Sequence, residues 1–175
     1  MVSKATINRA AGCVSACVFA AFAAASAHAD ISVRFDEGAP KDRFTFENVG
    51  SCPIGASELV LDISGSKAGL IFDTTGAGAG VEVFQPLEIV SGSKSLSAIT
   101  TVSDGDSAVT LSIAELQPGA KIAFTIDVDD TAGGREITVS GSEIEGSVVR
   151  FSNNGKTATA ALSSAATALV KTDAC

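Results

Sequence analysis

Apolar and polar residues alternate in short blocks along most of the 175-residue chain, and Gly, Asn, Asp and Pro bound the blocks. A period of two marks strands, because successive side chains project to opposite faces of a sheet. The runs ISVRF (31–35), RFTFEN (43–48) and ELVLDIS (58–64) set Phe44 and Phe46, then Leu59, Leu61 and Ile63, on inward faces. GLIF (69–72), VEVFQPLEIV (81–90), AVTLSIA (108–114), KIAFTIDV (121–128), REITVSGSEI (135–144), SVVRFS (147–152) and TATAAL (157–162) continue the series. Pro86 implies an edge or a bulge within its run, since proline donates nothing to a ladder.

Turn chemistry agrees with this reading. SDGD (103–106) carries an Asp-Gly hairpin signal, NNG (153–155) an Asn-Gly one, and QPG (117–119) a Pro-Gly turn. About ten short strands with no convincing helix predict an all-β fold, an antiparallel two-sheet β-sandwich of Ig-like or Greek-key type. The Ala-rich SSAATALV (163–170) supports two readings: helix from its alanines, or a final edge strand from the strand before it and the cysteine at the end.

The N-terminus departs from the pattern. Lys4 and Arg9 precede an uncharged run from Ala10 to Ser26, and Ala27-His28-Ala29 then supplies small residues at −3 and −1. This is the layout of a secretory signal peptide over residues 1–29, cleaved before Asp30, with a single domain over residues 30–175. Two competing readings exist: a lipobox-like VSAC (14–17) that would lipidate Cys17, and a resident membrane anchor. The apolar stretch before Cys17 is short for a lipobox, and a stop-transfer helix has no need of the small residues at Ala27 and Ala29.

Cleavage changes the charge balance. The signal carries two basic residues, no acidic ones and the lone histidine, so the remaining 146 residues hold 10 basic and 20 acidic side chains. A chain of this length buries roughly two-thirds of its unfolded surface, enough for one core. Seven Phe remain, with no Trp, Tyr or His. No basic face exists to neutralise phosphates and no aromatic platform to stack bases, which argues against nucleic acid as a partner. No further membrane-spanning stretch follows the signal.

Cys52 and Cys175 stay in a chain bound for an oxidising compartment and are expected to pair; a free thiol at Cys175 or an intermolecular bridge is the alternative. A loop of that span contributes on the order of 4 kcal/mol in the chain-entropy model. Neither thiol has a His or CxxC neighbour to activate it.

The candidate chemistry lies in FTIDVDDTAGG (124–134). With Phe124, Ile126 and Val128 inward, Thr125, Asp127 and Asp129 share the opposite face and Asp130 opens the loop. Calcium takes six to eight hard oxygens from acids, carbonyls and water, and a glycine-bearing loop offers carbonyls freely. Asp127, Asp129 and Asp130 are the expected calcium ligands, with Asp73, Asp104 and Asp106 (alongside Thr74, Thr75 and Glu82) as further donors if the fold gathers them. Against this stands a simple magnitude: like charges about 6.5 Å apart in water repel by roughly 0.6 kcal/mol, so exposed acids require no metal. They also solubilise loops, cap turns and blunt edge strands. TTGAGAGVE (74–82) lacks both the dinucleotide and P-loop glycine patterns and reads as a compact Ω-like loop.

Without histidine, the usual base for a Ser or Cys nucleophile is absent, and so are His-bearing zinc sites. Paired carboxylates are able to hydrolyse glycosides, yet glycosidase clefts stack sugars on Trp or Tyr, which this domain lacks. The expectation is a non-enzymatic protein. GLIFDTTGAGAGVEVFQPLEIV and FTIDVDDTAGGREITVSGSEIEGSVVRF resemble a family of small secreted bacterial proteins labelled aggregation factor core, over most of residues 30–165. The resemblance implies an extracellular β-rich module with calcium-dependent cell or matrix adhesion, whose partners are a protein or polysaccharide at the cell surface or a second copy. The alternative is a metal-free periplasmic or extracellular accessory domain that receives a partner segment on an edge strand.

Overall fold

A computed structural model describes residues 27–75, 85–131 and 139–172. It is all-β, with two antiparallel sheets, consistent with a β-sandwich. In chain order the strands are β1 (Ala29–Asp36), β2 (Asp42–Asn48), β3 (Ser57–Asp62), β4 (Leu70–Asp73), β5 (Glu88–Ser91), β6 (Leu96–Ile99), β7 (Ala108–Ile113), β8 (Lys121–Asp130), β9 (Val148–Asn153), β10 (Lys156–Ala161) and β11 (Thr167–Thr172). One sheet runs β11-β1-β2-β8-β4, with β5 also paired to β8; the other runs β10-β9-β3-β7-β6. The long β8 is shared along one edge, β5 pairing near Phe124 and Thr125 and β4 pairing from Asp127 to Asp130.

The alternation puts one apolar set from each strand between the sheets. Phe44 lies 5.3 Å from Phe124 and 5.0 Å from Phe35, centroid to centroid, and meets Phe72 edge-on at 6.5 Å. Leu59, Leu61, Leu111, Val149 and Phe151 of the facing sheet close the core. Each such side chain contributes about 1.5–3 kcal/mol through burial, which is why the inward set dictates register.

The hairpin signals perform as expected. Asn154 and Gly155 both have positive φ, 48° and 78°, joining β9 to β10 in the two-residue geometry that matches strand twist. Gly105 (φ 81°) turns the Asp104–Asp106 segment between β6 and β7. Gly92 is required for space as well: a Cβ there would sit 2.1 Å from the Lys121 carbonyl oxygen.

One expectation is corrected, one strand is added and one ambiguity is settled. Residues 139–144 do not continue a strand; Ser140 folds them into a turn by directing its amide and hydroxyl to Glu143 Oε2 at 2.6 and 2.7 Å. β6 lacked a readable signal, because LSAI is a four-residue edge piece with little alternation. The helix-or-strand ambiguity resolves to a turn through Ala166, at positive φ, followed by β11 paired with β1. Pro86 stands two residues before β5, whose pairing with β8 shifts register between Ile89 and Ser91.

The signal segment through residue 26, all of VEVF (81–84), residues 132–138 and Cys175 lie outside the described residues. Among the described residues no helix is long and apolar enough to cross a membrane.

Candidate functional site

The antiparallel register of β4 with β8 sets Asp73 opposite Asp127 and Ile71 opposite Asp129. The intervening pair, Phe72 and Val128, is buried in the core. Asp73, Asp127 and Asp129 therefore share the outer face with Thr125, as the alternation of β8 anticipates. The β6–β7 turn closes over β4 from the side. Phe72 donates its amide to the Asp106 carbonyl at 2.7 Å and accepts from the Gly105 amide at 2.9 Å, while Asp104 Oδ1 accepts the Thr74 amide at 3.2 Å.

Electrostatics at this rim differ from those of a solvated acidic loop. Asp73 is 0% exposed, and neither of its carboxylate oxygens has a hydrogen bond of good geometry. Burial, then the hydrogen bond and charge of Asp104, push its pKa up to about 6; the Thr75 amide acts in the opposite direction. Burial followed by the charges of Asp73 and Asp129 pushes Asp127 up to about 6 as well. Lys41 offsets only part of this, since its ammonium is held by the Pro86 carbonyl at 2.8 Å and Glu88 at 3.2 Å. Directly opposed side chains stand roughly 5 Å apart. At an effective dielectric near 20, two ionised carboxylates at that spacing repel by about 3 kcal/mol, several times the value in water.

The six expected donors separate into two groups. Asp73, Asp127, Asp129 and Asp104 act on one another. Asp130 continues β8, so strand alternation turns it to the face opposite Asp129. Asp106 closes its own turn, accepting the Ser103 amide on Oδ2 at 2.7 Å. Asp129 Oδ1 accepts the Asp130 amide at 2.8 Å, leaving its second oxygen for other partners. Glu82 lies outside the described residues. Among the described residues, no group of three or more His, Cys, Asp or Glu is drawn together tightly enough to hold a metal ion as it stands.

A neighbouring acid escaped the sequence reading. Asp42 is 1% exposed and begins the inward set that continues through Phe44, Phe46 and Asn48. Its Oδ1 accepts the Gly38 amide at 3.0 Å and its Oδ2 accepts the Val128 amide at 3.1 Å, tying the β1–β2 turn to β8. Burial pushes its pKa to about 7 against the pull of those two amides, and the charges of Asp127 and Glu37 add to the rise. The signal was present in the alternation: extending the Phe44–Phe46 register one step back places Asp42 inside. Asn48, at the other end of the set, is fully buried and donates to the Cys52 and Leu116 carbonyls at 2.9 and 3.0 Å.

No family model matches the chain, and neither a curated protein nor a solved structure matches it.

Proposed function

We propose that this protein is an exported, non-enzymatic adhesion or matrix-assembly module whose β4–β8 rim takes up calcium. The observation that carries this reading is Asp73: a fully buried carboxylate crowded by the Asp104 carboxylate and facing Asp127 across the ladder. A buried carboxylate set among other carboxylates is costly, and a hard cation offsets both the desolvation and the repulsion at once. Asp73, Asp127 and Asp129 supply the carboxylates in this reading, with Asp104 at the side and carbonyls or water completing the shell. Export rests on the leader-like N-terminus, and adhesion on the resemblance to the aggregation factor core proteins.

The same reading joins Cys52 to Cys175. The Cys52 sulfur is disulfide-bonded. Val49, three residues before Cys52, donates its amide to the Asp30 carbonyl, and Asp30 pairs with Lys171, four residues before the C-terminal cysteine.

Thermal melts of the exported domain in millimolar calcium and in EDTA test the cation. Calcium at about a hundredfold its dissociation constant stabilises by roughly 2.7 kcal/mol. Identical melts reject it. Light scattering then separates adhesion from a purely structural ion, since adhesion requires calcium-dependent self-association or bridging.

The metal-free alternative draws on β10, an edge strand of Lys156–Ala161 whose residues are exposed or half-buried and carry a single charge. Such an edge is able to accept a partner strand. Unchanged melts together with capture of an extended peptide along β10 would favour it.

A further inference from the structure

On the outer face of the β1–β2–β8 layer lies an open cavity of about 570 Å³. The register sets Arg34 opposite Thr45 and Thr45 opposite Ala123, so small side chains form its floor. Charged residues form its walls: Asp36 stands opposite Arg43, and Glu47 opposite Lys121. Both acids are already engaged. Arg34 Nε donates to Asp36 Oδ1 at 2.6 Å, and Lys121 Nζ lies 3.0 Å from Glu47 Oε2. Arg43 has no ion pair among the described residues, and the hydroxyls of Ser32, Thr45 and Ser91, which also line the cavity, make no hydrogen bond there. A locally cationic hollow thus sits on a chain with 20 acidic and 12 basic residues.

We propose that this face binds a segment of an acidic polysaccharide. A guanidinium presents a planar fork of donors that matches a carboxylate or sulfate in bidentate fashion, which an ammonium does not. The three hydroxyls exchange hydrogen bonds with the hydroxyls of the sugar rings. An open polar floor in which Ala123 is the one apolar lining residue among the described residues offers no pocket for an apolar side chain, which favours a saccharide over an acidic peptide. It offers no aromatic surface to a base either. The volume falls within the roughly 300–1,000 Å³ of small-molecule sites, room for a short run of sugar units. This site extends the adhesive reading to a second surface and requires no cation.

Affinity electrophoresis and calorimetry of the exported domain, in EDTA and physiological salt, test it with four probes: polygalacturonate, dextran sulfate, uncharged dextran and polyglutamate. Binding is expected for polygalacturonate or dextran sulfate, the two arms distinguishing carboxylate from sulfate, and not for dextran. Arg43→Ala is expected to weaken it at least tenfold, and Arg43→Lys by a smaller factor because a point charge replaces the fork. Arg150→Ala removes the same charge from β9 in the other sheet and is expected to leave binding unchanged. The proposal is overturned if neither acidic polysaccharide binds, if Arg150→Ala weakens binding as much as Arg43→Ala, or if polyglutamate binds equally well. Matching melting curves for the three variants exclude misfolding as the cause.

Discussion

Asp73 and Asp127 face each other across the β4–β8 ladder, and Asp73 is sealed from solvent beside a third carboxylate, that of Asp104. A cross-strand pair of like charges is a destabilising element, and its cost rises as the surroundings become less polar. Under the proposed function, this pair is where a bound cation would relieve the repulsion.

Replacing Asp73 with Asn removes one charge while keeping the shape. Asp73→Asn is expected to raise the melting temperature of the cation-free protein, by a stabilisation of roughly 1–3 kcal/mol, and to abolish the calcium-induced shift. Differential scanning calorimetry with and without EDTA reads both effects. A variant that melts lower in EDTA and still responds to calcium contradicts the role assigned to Asp73.

Cation-free stability should depend on pH with a definite sign. Asp42 in the folded state titrates at about 7 and Asp73 and Asp127 at about 6, against an ordinary value of 3.8. The folded state therefore holds more protons than the unfolded state between these limits. Their stabilising contribution is complete below about pH 4 and is lost as pH climbs through 6 and 7. Urea midpoints in EDTA are expected to be higher at pH 5 than at pH 7.5, and the opposite order excludes these acids as the dominant titrating groups.

Asp42 serves the fold rather than the rim. Asp42→Ala leaves the Gly38 and Val128 amides without their acceptor, one of them deep in β8. Orphaned buried donors cost about 1–3 kcal/mol each, partly offset here by loss of a buried charge. Denaturant unfolding at pH 5, where Asp42 is mostly protonated and the offset is small, is expected to show the larger destabilisation; equal stability to the parent at pH 5 contradicts the tether.

Non-reducing digestion followed by mass spectrometry should release a peptide linking Cys52 to Cys175. Cys175→Ser is then expected to lower stability by about 2–5 kcal/mol, as loss of a native disulfide does in small exported domains. A free thiol at Cys175 in the folded protein rejects the pairing.

The sequence by itself determined most of the strands and their inward faces, though not β6 or the turn at 139–144, because a period-two pattern is a local record of which side chains water excludes. Phe44, Phe46, Leu59 and Leu61 are buried where the alternation puts them. Turns at Asn154-Gly155 and Asp104-Gly105 were equally legible, since positive φ selects residue types locally. The same alternation set Asp127 and Asp129 on one face. What it lacked was the neighbour: pairing β4 with β8 is a contact across more than fifty residues, fixed by the packing of Phe72 and Val128 and not by the acids. Only that tertiary pairing set a buried Asp73 opposite a half-buried Asp127, brought in Asp104, and turned Asp106 and Asp130 to other tasks. Burial is a property of the assembled layers, so the dielectric that makes these carboxylates energetic could be decided only by the folded structure.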